Sequence, residues 1–342
     1  MKDLWNYLKE TKKPVVLYGM GNGADLVIEA CFKYGIKISG VFASDNFVRT
    51  KIFHGMPVTD YKTAKDTFSD MIVLVCFGTA LPEVINNIKK IAAQNELCFP
   101  DVPVCGGDLF TADYYETRKD EFDRVYSLLA DDTSKKVFKN IVEYKLSGDI
   151  DYLFASETGE EEPYENFLKL SGNETYLDLG AYRGDTVLSF VNRAGEYKKI
   201  IAAEPDEKSF KKLLDVAKNL KNVDCINAFI GEENSKIDFN MNTSRGFGRS
   251  GKIKNIEKIS VDSLDISPTF IKIDIEGGEA AAIAGAKETI KKYKPKMQIA
   301  AYHKIGDLAD IPKAVLEIDS SYKIYLRHNP CLPAWDVNFF FI

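Results

Sequence analysis

Two stretches of this chain share one rhythm: a short apolar run, a glycine-rich turn, and then apolar positions at helical spacing. The first passes through Val15–Tyr18, the turn Gly19–Ala24 and a helix predicted over 25–34. Apolar runs at 38–43 and 71–77 continue it, the latter closing on Gly78 and Thr79. In the second stretch, Tyr176–Leu179 leads into a turn bounded by Gly180 and Gly184, and 186–191 returns to helical spacing. Strands are predicted at Ile200–Ala203, 223–230, Phe270–Ile273, 297–302, 322–328 and Val337–Phe341, with helices over 206–220 and 280–293. Between the stretches, 113–145 is charged and helically periodic, with Phe122, Val125, Leu128 and Leu129 as one apolar stripe.

Strand and helix in alternation mean an α/β fold with largely parallel sheets. A length of 342 residues is enough for two cores. The expected layout is a Rossmann-like nucleotide- or sugar-nucleotide-binding domain over 1–107, a helical connector over 108–170, and a second α/β domain over 171–342. A net charge of −6 argues against a nucleic-acid partner, since lysine pairs such as Lys211-Lys212 and Lys291-Lys292 stand among acids. No run has the length of a membrane span and the first residues lack a signal peptide's apolar core, so a cytoplasmic protein with no membrane partner is expected. The six cysteines form no Cys-x-x-Cys pair, which speaks against zinc and a disulfide framework.

Charge at the second glycine turn narrows its ligand. Ligands of an open α/β sheet lie at the carboxyl ends of its strands. A dinucleotide would place its pyrophosphate there, yet Asp178 and Asp185 bracket the loop that includes Gly180, Ala181 and Gly184. S-adenosylmethionine has no phosphate and carries a sulfonium and an ammonium, so these carboxylates favour it. Glu204 ends the next strand, where a carboxylate accepts ribose hydroxyls, and Asn227 and Ala228 then flank the adenine by topology.

The run Phe270–Ile273 ends in Asp274, Glu276 and Glu279, with two glycines among them. Carboxylates crowded together are suited either to proton abstraction or to holding a divalent cation. Glu279 also fits the acidic first turn of the helix that follows. His303, at the end of the 297–302 strand, is suited to act as a general base on a hydroxyl. Arg327 and His328 are further candidates for orienting substrate. The polar, glycine-rich segment 242–251 offers Arg245 and Arg249 to an oxygen-rich substrate.

These segments together resemble the FkbM-type methyltransferases: Leu177-Asp-Leu-Gly-Ala-Tyr-Arg-Gly-Asp185, Glu204-Pro205, Ile271-Lys-Ile-Asp-Ile-Glu-Gly-Gly-Glu279 leading into Gly285-Ala-Lys287, Ala301-Tyr-His303 and Tyr325-Leu-Arg-His328. The resemblance runs from about residue 108 to the end. It departs from the family at Gly278, where a small residue or alanine is more usual. It implies a class I methyltransferase sheet of seven mostly parallel strands with an antiparallel last strand. It also implies an S-adenosylmethionine-dependent O-methyltransferase with a small-molecule or glycan acceptor. By the same resemblance the cofactor falls to Asp178, Gly180 and Glu204, and the chemistry to the neighbourhood of Asp274, Glu276 and His303.

The first glycine turn matches Gly-x-Gly-x-x-Ala through Gly19, Gly21 and Gly23, and Asp45 follows at the distance of a ribose acid. That leaves two competing readings: an NAD(P)-dependent or nucleotide-sugar enzyme working through its front domain, and a binding or assembly module that has kept a cofactor fold without its chemistry. Neither the oligomeric state nor a need for metal is fixed by these patterns.

Overall fold

Strands buried on both faces, joined by one-sided helices, account for the architecture. The structure, a computed structural model, describes residues 3–44, 51–103, 105–240 and 253–342. The chain divides into two compact units. One comprises Met1–Asp123, Lys135–Thr158 and His328–Asp336, and the other Arg124–Ser134, Gly159–Arg327 and Val337–Ile342.

In the first unit six strands form one sheet: β1 (Val15–Tyr18), β2 (Ile38–Phe42), β3 (Ile52–Phe53), β4 (Met56–Thr59), β5 (Ile72–Val75) and β6 (Glu96–Cys98), in the order β3-β4-β2-β1-β5-β6. β1 is parallel to both β2 and β5, so the order reverses beside it, the position of a doubly wound ligand crevice. The helix Asn22–Tyr34 turns Ala24, Val27, Ala30 and Cys31 into a core shared with Trp5, Leu17 and Leu74. The periodic region after residue 107 contains the helices Ala112–Thr117, Lys119–Leu128 and Asp132–Ser147. The stripe expected there is corrected at one position: Phe122, Val125 and Leu129 are buried, while Leu128 is exposed. Residues three and seven apart share a helix face, and a sixth-residue step leaves it.

The second unit holds a seven-stranded sheet made of β7 (Thr175–Leu179), β8 (Lys199–Ala203), β9 (Val223–Ile226), β13 (Phe270–Ile273), β14 (Lys296–Ala300), β15 (Ile324–His328) and β16 (Val337–Phe341). Its order is β15-β16-β14-β13-β7-β8-β9. β13, β7, β8, β9 and β14 pair in parallel, and β16 runs antiparallel to β14, as expected of the last strand. Tyr176 of β7 stacks on Phe190 at 4.2 Å and on Phe270 at 5.0 Å, which pins the central strands to the helix Asp185–Ala194.

Two details depart from the sequence reading. The run 223–230 splits, because Phe229–Ile230 leaves the large sheet as β10 and joins β11 (Ser235–Asn240) and β12 (Ile253–Ile259) in a separate sheet of order β10-β12-β11. The single helix expected over 280–293 is two, Glu279–Ala284 and Lys287–Tyr293. Asp262 makes the break: its N–H donates to the Gly285 carbonyl at 2.8 Å, and its carboxylate accepts the N–H groups of Glu288 and Thr289 at 3.0 and 2.8 Å. That carboxylate caps the second helix and satisfies donors that a continuous helix would use internally.

Candidate functional site

The site is built at the carboxyl ends of β7, β8 and β13. Gly180 follows β7 at φ +90°, and a Cβ there would lie 1.8 Å from the Asp274 carbonyl oxygen, so only glycine lets these two strand ends approach. Tyr182 and Glu276, at the tips of the turns after β7 and β13, hold left-handed backbone at φ +46° and +56°. Such strain in non-glycine residues gathers where a turn serves a ligand.

Asp178 is 0% exposed. Lys272, opposite it in the register of β7 and β13, places Nζ 3.3 Å from its Oδ1 and 3.9 Å from Asp274 Oδ2. Thr186 donates its hydroxyl to Oδ2. Burial works against a charged Lys272, yet Asp178 and Asp274 hold its pKa above the ordinary value. The charge of Asp178 is therefore compensated, and its part is to brace the turn against β13. Of the neighbouring carboxylates, Asp185 is exposed in the first helical turn and Asp274 is partly exposed.

Glu204, just past β8, accepts the N–H groups of Tyr182 at 2.9 Å and Asp206 at 2.8 Å through separate oxygens. Each oxygen keeps acceptor capacity for a hydroxyl. Burial pushes its carboxyl up to about 7 despite those N–H donors. Asn227 donates its amide to the carbonyls of Glu204 and Pro205 at 2.8 and 3.1 Å. It thus clamps the turn carrying Glu204, and Ala228 beside it is fully buried.

At the end of β13 the carboxylates converge on one imidazole. His303 is 1% exposed and lies three residues beyond the end of β14. Its Nδ1 stands 2.9 Å from Glu279 Oε1, and its Nε2 is 3.5 Å from Asp274 Oδ1 and 3.7 Å from Glu276 Oε2. Tyr302 donates its phenol to Asp274 at 3.2 Å. Burial opposes charge on His303, but Glu279 above all, then Asp274 and Glu276, keep its pKa above the ordinary value. Glu279 also answers burial: the His303 contact and the Ile275 N–H hold its carboxyl below the usual range. One atom each from Asp274, Glu279 and His303 lies within 4.8 Å of the others.

The structure thus brings Asp178, Gly180, Ala181, Gly184, Asp185, Glu204, Asn227, Asp274, Glu276 and His303 to neighbouring strand ends of one sheet. Arg327 and His328 are both buried, each against partners in its own unit. Arg327 is 2% exposed and spends all its donors on Asp131, Glu162, Ser134 and the Leu326 carbonyl. A saturated buried guanidinium has nothing left for a substrate. His328 is fully buried with Nδ1 2.8 Å from Ser156, and burial lowers its pKa to about 4. Gly19, Gly21 and Gly23 sit where β1 meets its helix, as read from the motif. Asp45, Arg245 and Arg249 lie outside the described residues. Sequence reasoning passed over Lys272 and Tyr302. A lysine inside an otherwise apolar strand was the available signal for the first, and the second had none.

The donor set fits a cationic nucleoside cofactor. Glu204 offers two oxygens with acceptor capacity, Asp185 is exposed and Asp274 partly so, and Lys272 is taken up by Asp178, the Gly180 carbonyl and Asp274. Residues 178–322 match the family model of the methyltransferase FkbM domain. The fold is shared with the methyltransferase FkbM of Methylobacillus flagellatus KT, at 21% identity and a TM-score of 0.77 over 96% of this chain and 90% of that one. Partial likenesses extend to Aeropyrum pernix fibrillarin in complex with natively bound S-adenosyl-L-methionine (13% identity, 51% of this chain and 67% of that one, TM-score 0.33). They also extend to a precorrin-6y C5,15-methyltransferase from Geobacter metallireducens GS-15 (14%, 51% and 81%, TM-score 0.34). No curated protein sequence matches the chain. The match of residues 178–322 to the FkbM methyltransferase domain marks the chain as an S-adenosylmethionine-dependent methyltransferase. Among the described residues no helix is long and apolar enough to cross a membrane.

Proposed function

We propose that this enzyme methylates a hydroxyl oxygen of a carbohydrate or glycosylated acceptor, with His303 taking the hydroxyl proton. The observation that carries this reading is the buried imidazole of His303, whose ring nitrogens lie 2.9 to 3.7 Å from carboxylate oxygens of Glu279, Asp274 and Glu276. Bound S-adenosylmethionine supplies an electrophilic methyl group. The chain's own residues then have three tasks. Glu204 holds ribose hydroxyls, with Asn227 fixing the turn that presents it. Asp274, Tyr302 and Glu276 surround His303 Nε2 with groups that hydrogen-bond a polyol, which supports a sugar acceptor. His303 receives the proton as the oxygen attacks in line, so orientation and one proton transfer make up most of the catalysis.

The net charge of −6 favours a small or glycan acceptor over nucleic acid. The division of labour proposed along the chain is a front domain over 1–107, a connector over 108–170 and the methyltransferase domain over 171–342, acting in the cytoplasm. Screening methyl glycosides and glycosylated small molecules with labelled cofactor tests the acceptor class. With any acceptor found, His303→Ala is expected to lower turnover by about 10² to 10⁴ while leaving S-adenosylhomocysteine affinity unchanged. Unchanged turnover removes His303 from the mechanism. Loss of activity on chelation, restored by Mg²⁺, would make the carboxylates around His303 ligands instead.

A further inference from the structure

We infer that Lys272 is a specificity-determining residue of the cofactor site: its buried ammonium, held between Asp178, the Gly180 carbonyl and Asp274, sets the surplus charge at the turn after β7 and with it the preference for the sulfonium cofactor over its demethylated product. This role presupposes the cofactor at that turn, beside Glu204 as proposed above, and is independent of the part given to His303.

Lys272 stands in a strand whose other residues, Phe270, Ile271 and Ile273, are apolar and buried, and it is itself 7% exposed. An ammonium so placed is costly unless its neighbours answer the charge. Three of them do. The register of β7 and β13 sets Lys272 opposite Asp178, and Nζ donates to Asp178 Oδ1 at 3.3 Å and to the Gly180 carbonyl at 3.2 Å, with Asp274 Oδ2 at 3.9 Å. The second oxygen of Asp178 accepts the Thr186 hydroxyl, and the Gly180 N–H donates to the Ala203 carbonyl at 3.0 Å. Both residues that Lys272 holds at the turn are thus fixed from a second side. Burial opposes the charge of Lys272, and Asp178, Asp274 and, more weakly, Asp185 outweigh it.

Two carboxylates and one ammonium leave one negative charge over. It falls where a ligand can meet it, since the Asp178 side chain is 0% exposed and that of Asp274 31%. The cofactor carries at sulfur a positive charge that its demethylated product lacks. A turn one charge more negative would bind the cation most tightly before transfer, when its charge is complete, and binding of that kind slows the chemical step. A turn one charge less negative would bind cation and product more alike, so that product competes with the next turnover. Lys272 fixes the sum between these limits.

The test is calorimetric titration of the full chain at about pH 8, above the ordinary carboxyl range, with three probes. These are S-adenosylmethionine, sinefungin, which has an ammonium in place of the sulfonium, and S-adenosylhomocysteine, which is neutral at sulfur. The quantity read is the affinity of each cation relative to that of the neutral probe. Lys272→Met should raise this ratio by about 3- to 30-fold, and Asp178→Asn should lower it by a similar factor, the effect of one charge at an intermediate dielectric. The double variant has the wild-type sum of charges and should return to the wild-type ratio. Lys272 is in this way removed twice, once from the wild type and once from Asp178→Asn, so that a single variant that fails to fold still leaves the other comparison to decide. A role in packing alone would weaken all three probes alike, and an unmoved ratio in a folded variant overturns the inference. Failure of the wild type to bind any of the probes overturns the placement of the cofactor at this turn, whereas binding with a ratio indifferent to Lys272 overturns only the part given to the lysine.

Discussion

Two glycine turns, 19–24 and 180–185, use the same backbone device and differ in what surrounds them. In each, a glycine lets the turn press against the end of a neighbouring parallel strand. A Cβ on Gly23 would lie 2.2 Å from the Cys76 carbonyl, and one on Gly180 would lie 1.8 Å from that of Asp274. Beyond that the likeness stops. β1 is apolar and buried throughout, and at its end the Tyr18 phenol, 2.7 Å from Ser44 Oγ, accepts the Asn87 amide at 3.0 Å. The hydrogen bond on that side, between His54 Nε2 and Asp25 Oδ1 at 2.7 Å, is about half exposed. Around the second turn Asp178, Lys272, Glu204, Glu279 and His303 are all buried. The backbone provides a place for a ligand, and the ionisable groups buried at the strand ends decide which chemistry happens there.

The sharpest way to break this comparison is to remove one buried charge. Asp178→Asn leaves Lys272 with only Asp274, at 3.9 Å, as counter-ion and should cost up to about 3–5 kcal/mol of unfolding free energy in urea titration. Pairing it with Lys272→Met should recover most of that loss, because two well-packed neutral side chains replace the ion pair. A single variant as stable as wild type would show that the charge is not buried as described.

A smaller effect concerns ligand binding and pH. Glu204 in the free enzyme has its carboxyl pushed up to about 7, and hydroxyls of a ribose donate best to the ionised form. Cofactor affinity should therefore be flat above that pKa and fall as pH drops below it, by about tenfold per unit. The sign for stability is opposite: a carboxyl whose pKa is raised on folding favours the folded state in acid and loses that contribution as pH rises from its ordinary value to about 7. Calorimetric titration with S-adenosylhomocysteine from pH 5 to 8 reads the first effect. The smallest change belongs to the front turn: Asp25→Asn, which breaks the exposed pair with His54, should shift unfolding by about 0–1 kcal/mol.

How far the site could be read in the sequence follows from how local each signal is. Gly180, Asp178, Glu204 and Asp274 stand at the ends of strands that their own apolar runs announce, and there the reading and the structure place the same residues. Arg327 misled because its partners are remote, Glu162 and Asp131 lying 165 and 196 residues away, and nothing next to it shows that its donors are spent. Lys272 was silent for a related reason, since its meaning depends on the β7–β13 register that puts it opposite Asp178. Glu279 had a sufficient local explanation as a helix-start acid, and only the fold of the turn shows the carboxylate directed back to His303. The split of the 280–293 helix depends on Asp262, outside the segment altogether.

Calorimetric titration of S-adenosylhomocysteine and NADH into the wild type and Glu204→Gln tests the central claim most directly. The account predicts that S-adenosylhomocysteine binds the wild type and that the variant loses about tenfold or more, the worth of a hydrogen bond to a charged group. Binding of NADH alone, or S-adenosylhomocysteine affinity indifferent to Glu204, would contradict the placement of the cofactor at the second glycine turn.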